Sequence, residues 1–369
     1  MIYIIVFIIS IFFSRLALKS FDKKTNLIGL IFSAISILAP VLLAGMRDET
    51  VGTDTSNYIW MFENACNCNS FNEFSMTAPS IELGYLLFTY LISRVCDEVW
   101  LYLAIFHFLI IMPVFWVGYK NSARLSLPLL MFIFLILFYN ESLNITRQYV
   151  SISLGLVAIH QLLQRHFKSS MAFTIVAITF HTSSILLFSY YIVYYITRKY
   201  PLKGNSSRYL MYIVSFIIAF IGIVYSGVLN MAYSITDRFG DYATNDKGEV
   251  SISTMVLYLL TSFSLFNAAR STKDTKITFF FILSSFAMLF LMASSISNTF
   301  YRLALPFAFP LVYSFPLLCK SISENGRKNI GKSMTFFYFA FFFFYWYFVI
   351  VLRGSYATYP YSSTILGIL

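Results

Sequence analysis

Glu82-Leu-Gly-Tyr-Leu-Leu-Phe-Thr-Tyr-Leu-Ile-Ser-Arg-Val-Cys96 is apolar enough to invite reading as a membrane crossing, and the fold depends on refusing it that role. The stretch is shorter than the ~20 residues a helix needs to pass a bilayer, and it carries Glu82 and Arg94 near its ends. Counted as a span, it would send Lys120 and Arg124 to the opposite side and invert every later loop. Read as a helix lying on the outer membrane surface, it leaves one consistent charge pattern along the whole chain.

The surrounding composition demands a membrane. With 59% hydrophobic residues, 11% charged residues and a mean hydropathy of +0.74, the 369-residue chain cannot be a soluble domain, and no nucleic-acid partner is expected. Apolar runs recur without the alternation of outer-membrane strands, so the spanning elements are helices. The expectation is an all-α polytopic membrane protein, one membrane domain over 1–369. About twelve spans are placed near 1–18, 27–46, 99–118, 126–139, 147–163, 171–182, 184–197, 209–229, 251–269, 277–296, 302–318 and 334–352. The run Met1 to Phe13 has neither a basic stretch before it nor a small-residue cleavage site after it, and is read as a retained span.

Of the 26 Lys and Arg residues, this topology leaves Arg47, Arg94, Arg147, Arg238, Lys247, Arg302 and Arg353 on one side and the other 19 on the opposite, cytoplasmic side. The outer loops are then 47–98, which includes the interfacial helix 82–96, and 230–250. Fusing 171–182 with 184–197 would expose Arg198, Lys199, Lys203 and Arg208 outside. A turn at His181-Thr182-Ser183-Ser184 avoids this and faces His181 outward.

On that outer side, Arg47, Arg147 and Arg302 each stand at the end of a long apolar run, away from any basic cluster, and three such arginines imply a bound anion. Arg47 opens a polar patch, Arg47-Asp-Glu-Thr-Val-Gly-Thr-Asp-Thr-Ser-Asn-Tyr58, and Arg147 follows Asn140 and Asn144. Helical spacing predicts Asn140, Asn144, Arg147 and Ser151 on one stripe. Guanidinium groups suit a diphosphate because each donates in a planar fork and keeps its charge. Asp54, Glu82 and His181 are the outward groups able to take a proton from a substrate hydroxyl. Against this, Asp54 would pair with Arg47 and shape the Gly52-Thr53 turn, Glu82 would cap the interfacial helix, and His181 would be a satisfied group at a turn. His107, His160, His166 and His181 lack ligand spacing and Cys66 and Cys68 have no nearby His, so neither a protein-bound metal nor a cofactor is expected. A divalent ion carried on a substrate phosphate stays open. A disulfide from Cys66 or Cys68 to Cys96 is conceivable on the oxidising side.

These motifs resemble the EpsG-type branch of the Wzy polysaccharide (O-antigen) polymerases over about residues 1–320. The similar features are the Arg47 to Tyr58 patch after the second span, Asn144…Arg147-Gln148 opening a later span, Phe180-His181 between short helices, and Asn298-Thr-Phe-Tyr-Arg302. The resemblance implies a multi-span, lipid-phosphate-dependent glycosyltransferase of GT-C-like polymerase architecture, with its site on the periplasmic or outer face of a bacterial cytoplasmic membrane. Its implied donor is a growing glycan on undecaprenyl pyrophosphate and its acceptor one lipid-linked repeat unit. Arg47, Arg147 and Arg302 would hold the pyrophosphate, and Tyr58, Asn144, Gln148 and Tyr301 the sugar. The reaction would invert the anomeric centre with a base among His181, Glu82 and Asp54, and a chain-length regulator would be a partner. An O-antigen ligase, a lipid-linked oligosaccharide flippase and a purely structural or regulatory membrane protein are the alternatives, the last leaving the Arg47 to Tyr58 patch without a purpose. The modest 230–250 loop argues against the first, and charges confined to one face argue against the second.

Overall fold

A computed structural model describes residues 2–199, 252–272, 274–294, 297, 299–324 and 328–368. The expected span at 209–229, the loop 230–250 and Asn298 lie outside the described residues. Contacts divide the chain into two units, one of Met1–Ile185 with Met334–Leu369 and the other Leu186–Ser333.

The first unit opens with an antiparallel pair, α1 (Ile2–Asp22) and α2 (Asn26–Gly45). Thr25 closes the turn between them, its N–H and hydroxyl both donating to the Ser20 carbonyl (2.9 and 2.8 Å). Ser10 and Ser36 each donate a hydroxyl to the other's carbonyl (2.7 and 2.8 Å), which satisfies polar atoms where lipid offers no partner. Helix α6 (Val99–Lys120) lies so close to the end of α2 that a Cβ on Gly45 would sit 2.7 Å from the Trp100 carbonyl oxygen. Between α2 and α6 run α3 (Thr55–Asn67), α4 (Phe71–Thr77) and α5 (Leu83–Ser93). At 11 residues, α5 extends about 16 Å, roughly half a hydrocarbon core. It buries Tyr85, Leu86, Thr89 and Ile92, exposes Leu83, Leu87 and Leu91, and presses Gly84 against Thr179.

Helices α7 (Leu127–Leu137), α8 (Tyr139–Ser142), α9 (Thr146–Leu163) and α10 (Phe167–Phe180) follow. Small polar residues let α9 and α10 pack closely, with Ser170 donating to the Ala158 carbonyl (2.8 Å) and Ser151 to that of Ala177 (2.5 Å). The predicted stripe through Asn140, Asn144, Arg147 and Ser151 does not exist as one helical face. The chain leaves helical geometry at Ile145 (φ −93°, ψ 51°), so Asn140 belongs to α8 and only Arg147 and Ser151 to α9.

The basic residues of this unit sort by helix end. Lys23, Lys24, Lys120, Arg124 and Arg165 lie by the α1–α2, α6–α7 and α9–α10 turns, which share an end through Phe21–Tyr119 ring contact (5.0 Å) and the Asn121–His160 hydrogen bond (2.8 Å). The other end gathers the start of α1, the end of α2, Arg47, the start of α9 and a C-terminal strap over 353–368. Tyr3 donates there to the Thr358 carbonyl (2.7 Å) and Tyr361 to that of Leu43 (2.9 Å).

The second unit contains α11 (Ser189–Lys199), α12 (Ile252–Thr272), α13 (Thr275–Ala293), α14 (Thr299–Ala308) and α15 (Leu311–Glu324). Asp274 caps α13 by accepting from the Lys276 N–H (2.8 Å). Helix α16 (Lys328–Trp346) leads from this unit back into the first and ends in a π-helical turn, Tyr347–Leu352. Among the described residues seven helical stretches are long and apolar enough to cross a membrane: Ile2–Asp22, Asn26–Gly45, Val99–Lys120, Ile252–Thr272, Thr275–Ala293, Thr299–Glu324 and Gly331–Leu352. Leu83–Ser93, Leu127–Leu137 and Phe167–Phe180 are apolar but shorter. The protein is an all-α, multi-pass membrane protein.

All four cysteines, Cys66, Cys68, Cys96 and Cys319, are free, so neither conceivable disulfide to Cys96 is present. The Cys96 sulfur instead accepts the Glu98 N–H (3.3 Å), and Arg94 ties α5 to the end of α3 through the Cys66 carbonyl (3.3 Å).

Candidate functional site

Arg147 sits in the first turn of α9, where the positive end of the helix dipole opposes a cation. Glu82 offsets this: its carboxylate accepts from the Arg147 guanidinium at 2.6 Å, with side chains 11% and 26% exposed respectively. The same carboxylate accepts from the Thr182 N–H (3.0 Å) and Thr182 hydroxyl (3.3 Å). Burial alone would raise the Glu82 pKa, but Arg147, the Thr182 N–H and nearby His181 outweigh it and hold the carboxyl below its usual value. Glu82 does occupy the N-cap position of α5, yet its side chain makes no cap hydrogen bond.

Three aromatic and polar groups complete the surroundings. The Tyr58 phenol lies within electrostatic reach of Arg147, and burial raises its pKa. Arg147 stands 5.4 Å from the centroid of the Tyr85 ring, a cation–π geometry, while the Tyr85 hydroxyl pairs with that of Tyr102 (2.7 Å). His181 ends α10 in extended backbone (φ −157°, ψ 123°), which breaks the helix at the predicted turn. Its Nδ1 meets the Ser183 N–H (3.2 Å) and hydroxyl (2.8 Å), and the Ser183 oxygen accepts from the Gln148 amide (3.3 Å). The structure thus brings together Tyr58, Glu82, Arg147, Gln148 and His181 from four separate stretches. Asp54, at the head of α3, lies within electrostatic reach of Tyr58.

Arg47 occupies a different position. It is 4% exposed, and its guanidinium donates to the Ala44 carbonyl, the Leu143 carbonyl (3.0 Å) and the Thr55 hydroxyl (3.2 Å). Asp54 is not among its partners, which corrects the expected Arg47–Asp54 pairing: the loop turns at Gly52 and presents Thr55 instead. Burial pushes the Arg47 pKa down to about 10, against the pull of Tyr139, Tyr3, Tyr58 and Tyr361, so it stays cationic at neutral pH without a carboxylate partner. Tyr58 lies within electrostatic reach of both Arg47 and Arg147.

Asn144 is occupied by the loops around Arg47. Its carbonyl accepts the Thr53 N–H (2.9 Å) and its amide donates to the Tyr356 carbonyl (2.8 Å). Arg302, exposed, and Tyr301, half-buried, lie on α14 in the second unit.

Thr182, Ser183 and Tyr85 were missed as site residues. The first two lie in the turn that charge placement identified, and Tyr85 lies three residues from Glu82 on the buried face of α5. Glu141 was also overlooked. It is buried, and its carboxylate accepts the Tyr149 hydroxyl (2.9 Å). Among the described residues no cluster of His, Cys, Asp and Glu is arranged to hold a metal ion.

Comparison with protein families matches the EpsG family over residues 30–363, nearly the whole chain. No curated protein and no solved structure matches.

Proposed function

From the premise that the chain belongs to the EpsG family of polysaccharide polymerases, we propose that it transfers a growing glycan from undecaprenyl pyrophosphate to a lipid-linked repeat unit. The transfer takes place at the outer face of the bacterial cytoplasmic membrane. A fold of about twelve spans, as in multi-span lipid-phosphate-dependent glycosyltransferases, belongs to the same proposal. The observation that carries it is the half-buried Arg147, held by Glu82 at a helix N-terminus beside Tyr58 and His181. A diphosphate arriving there meets a guanidinium already stripped of much of its water.

As the glycosidic carbon–oxygen bond breaks, negative charge grows on the diphosphate, and a fixed cation stabilises that charge more than the ground state. Arg147 makes the contact. Arg47, buried and within electrostatic reach of Tyr58, adds field without contact and, through Thr55, fixes the loop that carries Tyr58 and Asp54. Arg302 enters on its sequence context alone, as does Tyr301 for the sugar, and a chain-length regulator enters as a partner through the family alone. Attack by the acceptor hydroxyl from the opposite face inverts the anomeric centre, and an acidic or imidazole group beside Arg147 handles its proton.

The test is the size distribution of surface glycan in a deletion strain. Single repeat units attached to the surface are expected. Long glycan stranded on carrier lipid would identify a ligase instead, and loss of all outward-facing lipid-linked sugar a flippase.

A further inference from the structure

A neutral imidazole carries one N–H and one lone pair, and the turn around His181 determines which nitrogen has which. The Ser183 backbone nitrogen can only donate, and it donates to Nδ1 at 3.2 Å. Nδ1 therefore holds the lone pair, and the Ser183 hydroxyl, 2.8 Å away, must also donate to it. Gln148, 1% exposed, donates its amide to the Ser183 oxygen and keeps that hydroxyl pointed at the ring. The direction of all three hydrogen bonds is consistent only with the proton on Nε2.

We propose, on the glycosyl-transfer reading above, that Ser183 and Gln148 are positioning residues that make His181 an Nε2–H donor to a diphosphate oxygen, leaving Glu82 to take the acceptor's proton. A base must accept at its lone pair, and here that atom already receives two hydrogen bonds. Protonating Nδ1 would set one N–H against another. Glu82 has free electron density and stands next to the same turn through Thr182. Among the described residues, Glu82 at the head of α5 lies within electrostatic reach of His181, and it is paired with Arg147 from α9. When the diphosphate engages Arg147, Glu82 loses part of its cationic partner and binds a proton more readily.

In the transfer, the bond from the anomeric carbon to the diphosphate oxygen breaks with its electron pair on the diphosphate. The acceptor oxygen forms the new bond to that carbon. Its proton passes to the Glu82 carboxylate and leaves to water after the product departs. His181 gives no proton up; its N–H only shares in the charge growing on the diphosphate.

The experiment uses full-length protein in nanodiscs with lipid-linked repeat unit, and wild-type polymer formation tests the glycosyl-transfer reading separately. His181→Gln retains an amide N–H and is expected to keep at least about a tenth of wild-type turnover with the acid limb of the pH–rate profile unchanged. His181→Ala is expected to lose about a hundredfold. Ser183→Ala should lower kcat with little effect on donor KM. Equal inactivity of the Gln and Ala variants together with loss of the acid limb in His181→Gln would overturn the proposal. Independently of activity, the 15N spectrum of histidine-labelled protein, assigned by the signal missing in His181→Gln, should show a bare Nδ1 and a protonated Nε2. A protonated Nδ1 would overturn it as well.

Discussion

At the scale of single residues, Arg147 combines an unfavourable place at a helix N-terminus with a carboxylate partner, and both suit the proposed contact with an anion. Replacing it with Ala should reduce polymer formation by about ten- to a hundredfold, since a charge-assisted hydrogen bond contributes roughly 1.5–3 kcal/mol. Lys should rescue poorly because it lacks the planar fork. Full-length polymer from Arg147→Ala cells would remove this residue from the site. The Glu82 carboxyl binds its proton less readily in the fold than in the unfolded chain. Its stabilising effect is therefore complete above the ordinary value of 4.5 and fades as pH falls through the lower folded-state value. Thermal unfolding in detergent should show wild type losing its advantage over Glu82→Gln on acidification. A gap that is independent of pH would contradict the ion pair. The pair was not legible in the sequence because its members are 65 residues apart and neither has a local signature of the other.

At the scale of elements, the C-terminal strap and the loop after α2 hold each other. Asp48 N–H donates to the Ser362 carbonyl (3.1 Å), Gly52 N–H to that of Ala357 (2.8 Å), and Thr364 N–H to the Asp48 carboxylate (2.8 Å). That last bond, above all, lowers the Asp48 pKa. Ending the chain after Leu352 should leave a membrane-inserted protein whose 47–54 loop is cut by protease faster than in wild type; equal protection would show that the strap does not restrain it. Gly52 has φ +99°, and an added Cβ would meet the Asn144 amide oxygen and lie 2.9 Å from the Thr55 hydroxyl. Gly52→Ala should cost about 1–3 kcal/mol of stability, read as a lowered Tm in detergent, and an unchanged Tm would mean the loop rearranges freely. Hydropathy located the long helices among the described residues, because the demand of a bilayer is local and needs only composition. It was silent on the strap, whose bonds come largely from backbone carbonyls of Tyr356, Ala357 and Ser362, groups every residue possesses.

At the scale of the whole molecule, the charge-sorting argument makes a labelling prediction. A cysteine at Ser70 in a cysteine-free background should react with an impermeant reagent in spheroplasts, whereas one at Ser122, at the opposite helix end, should not. The reverse pattern would move the Arg147 site to the cytoplasmic side and end the proposed reaction. The sorting of charge between the two helix ends was legible because Arg47, Arg94 and Arg147 are isolated while Lys19, Lys23 and Lys24 cluster, a contrast visible without any structure. The assembly of the site was not, since Tyr58, Glu82, Arg147 and His181 meet only after α3, α5, α9 and α10 are packed. One contact also sets a timetable for synthesis. The Tyr3 hydroxyl is bonded to a carbonyl 355 positions later. The helices of the first unit can enter the membrane and pair in order, but the loop around Arg47 has no strap to grip until residues 353–368 have been translated. A chain made only as far as Leu352 therefore has the helices of the first unit but none of the contacts that hold the Arg47 loop.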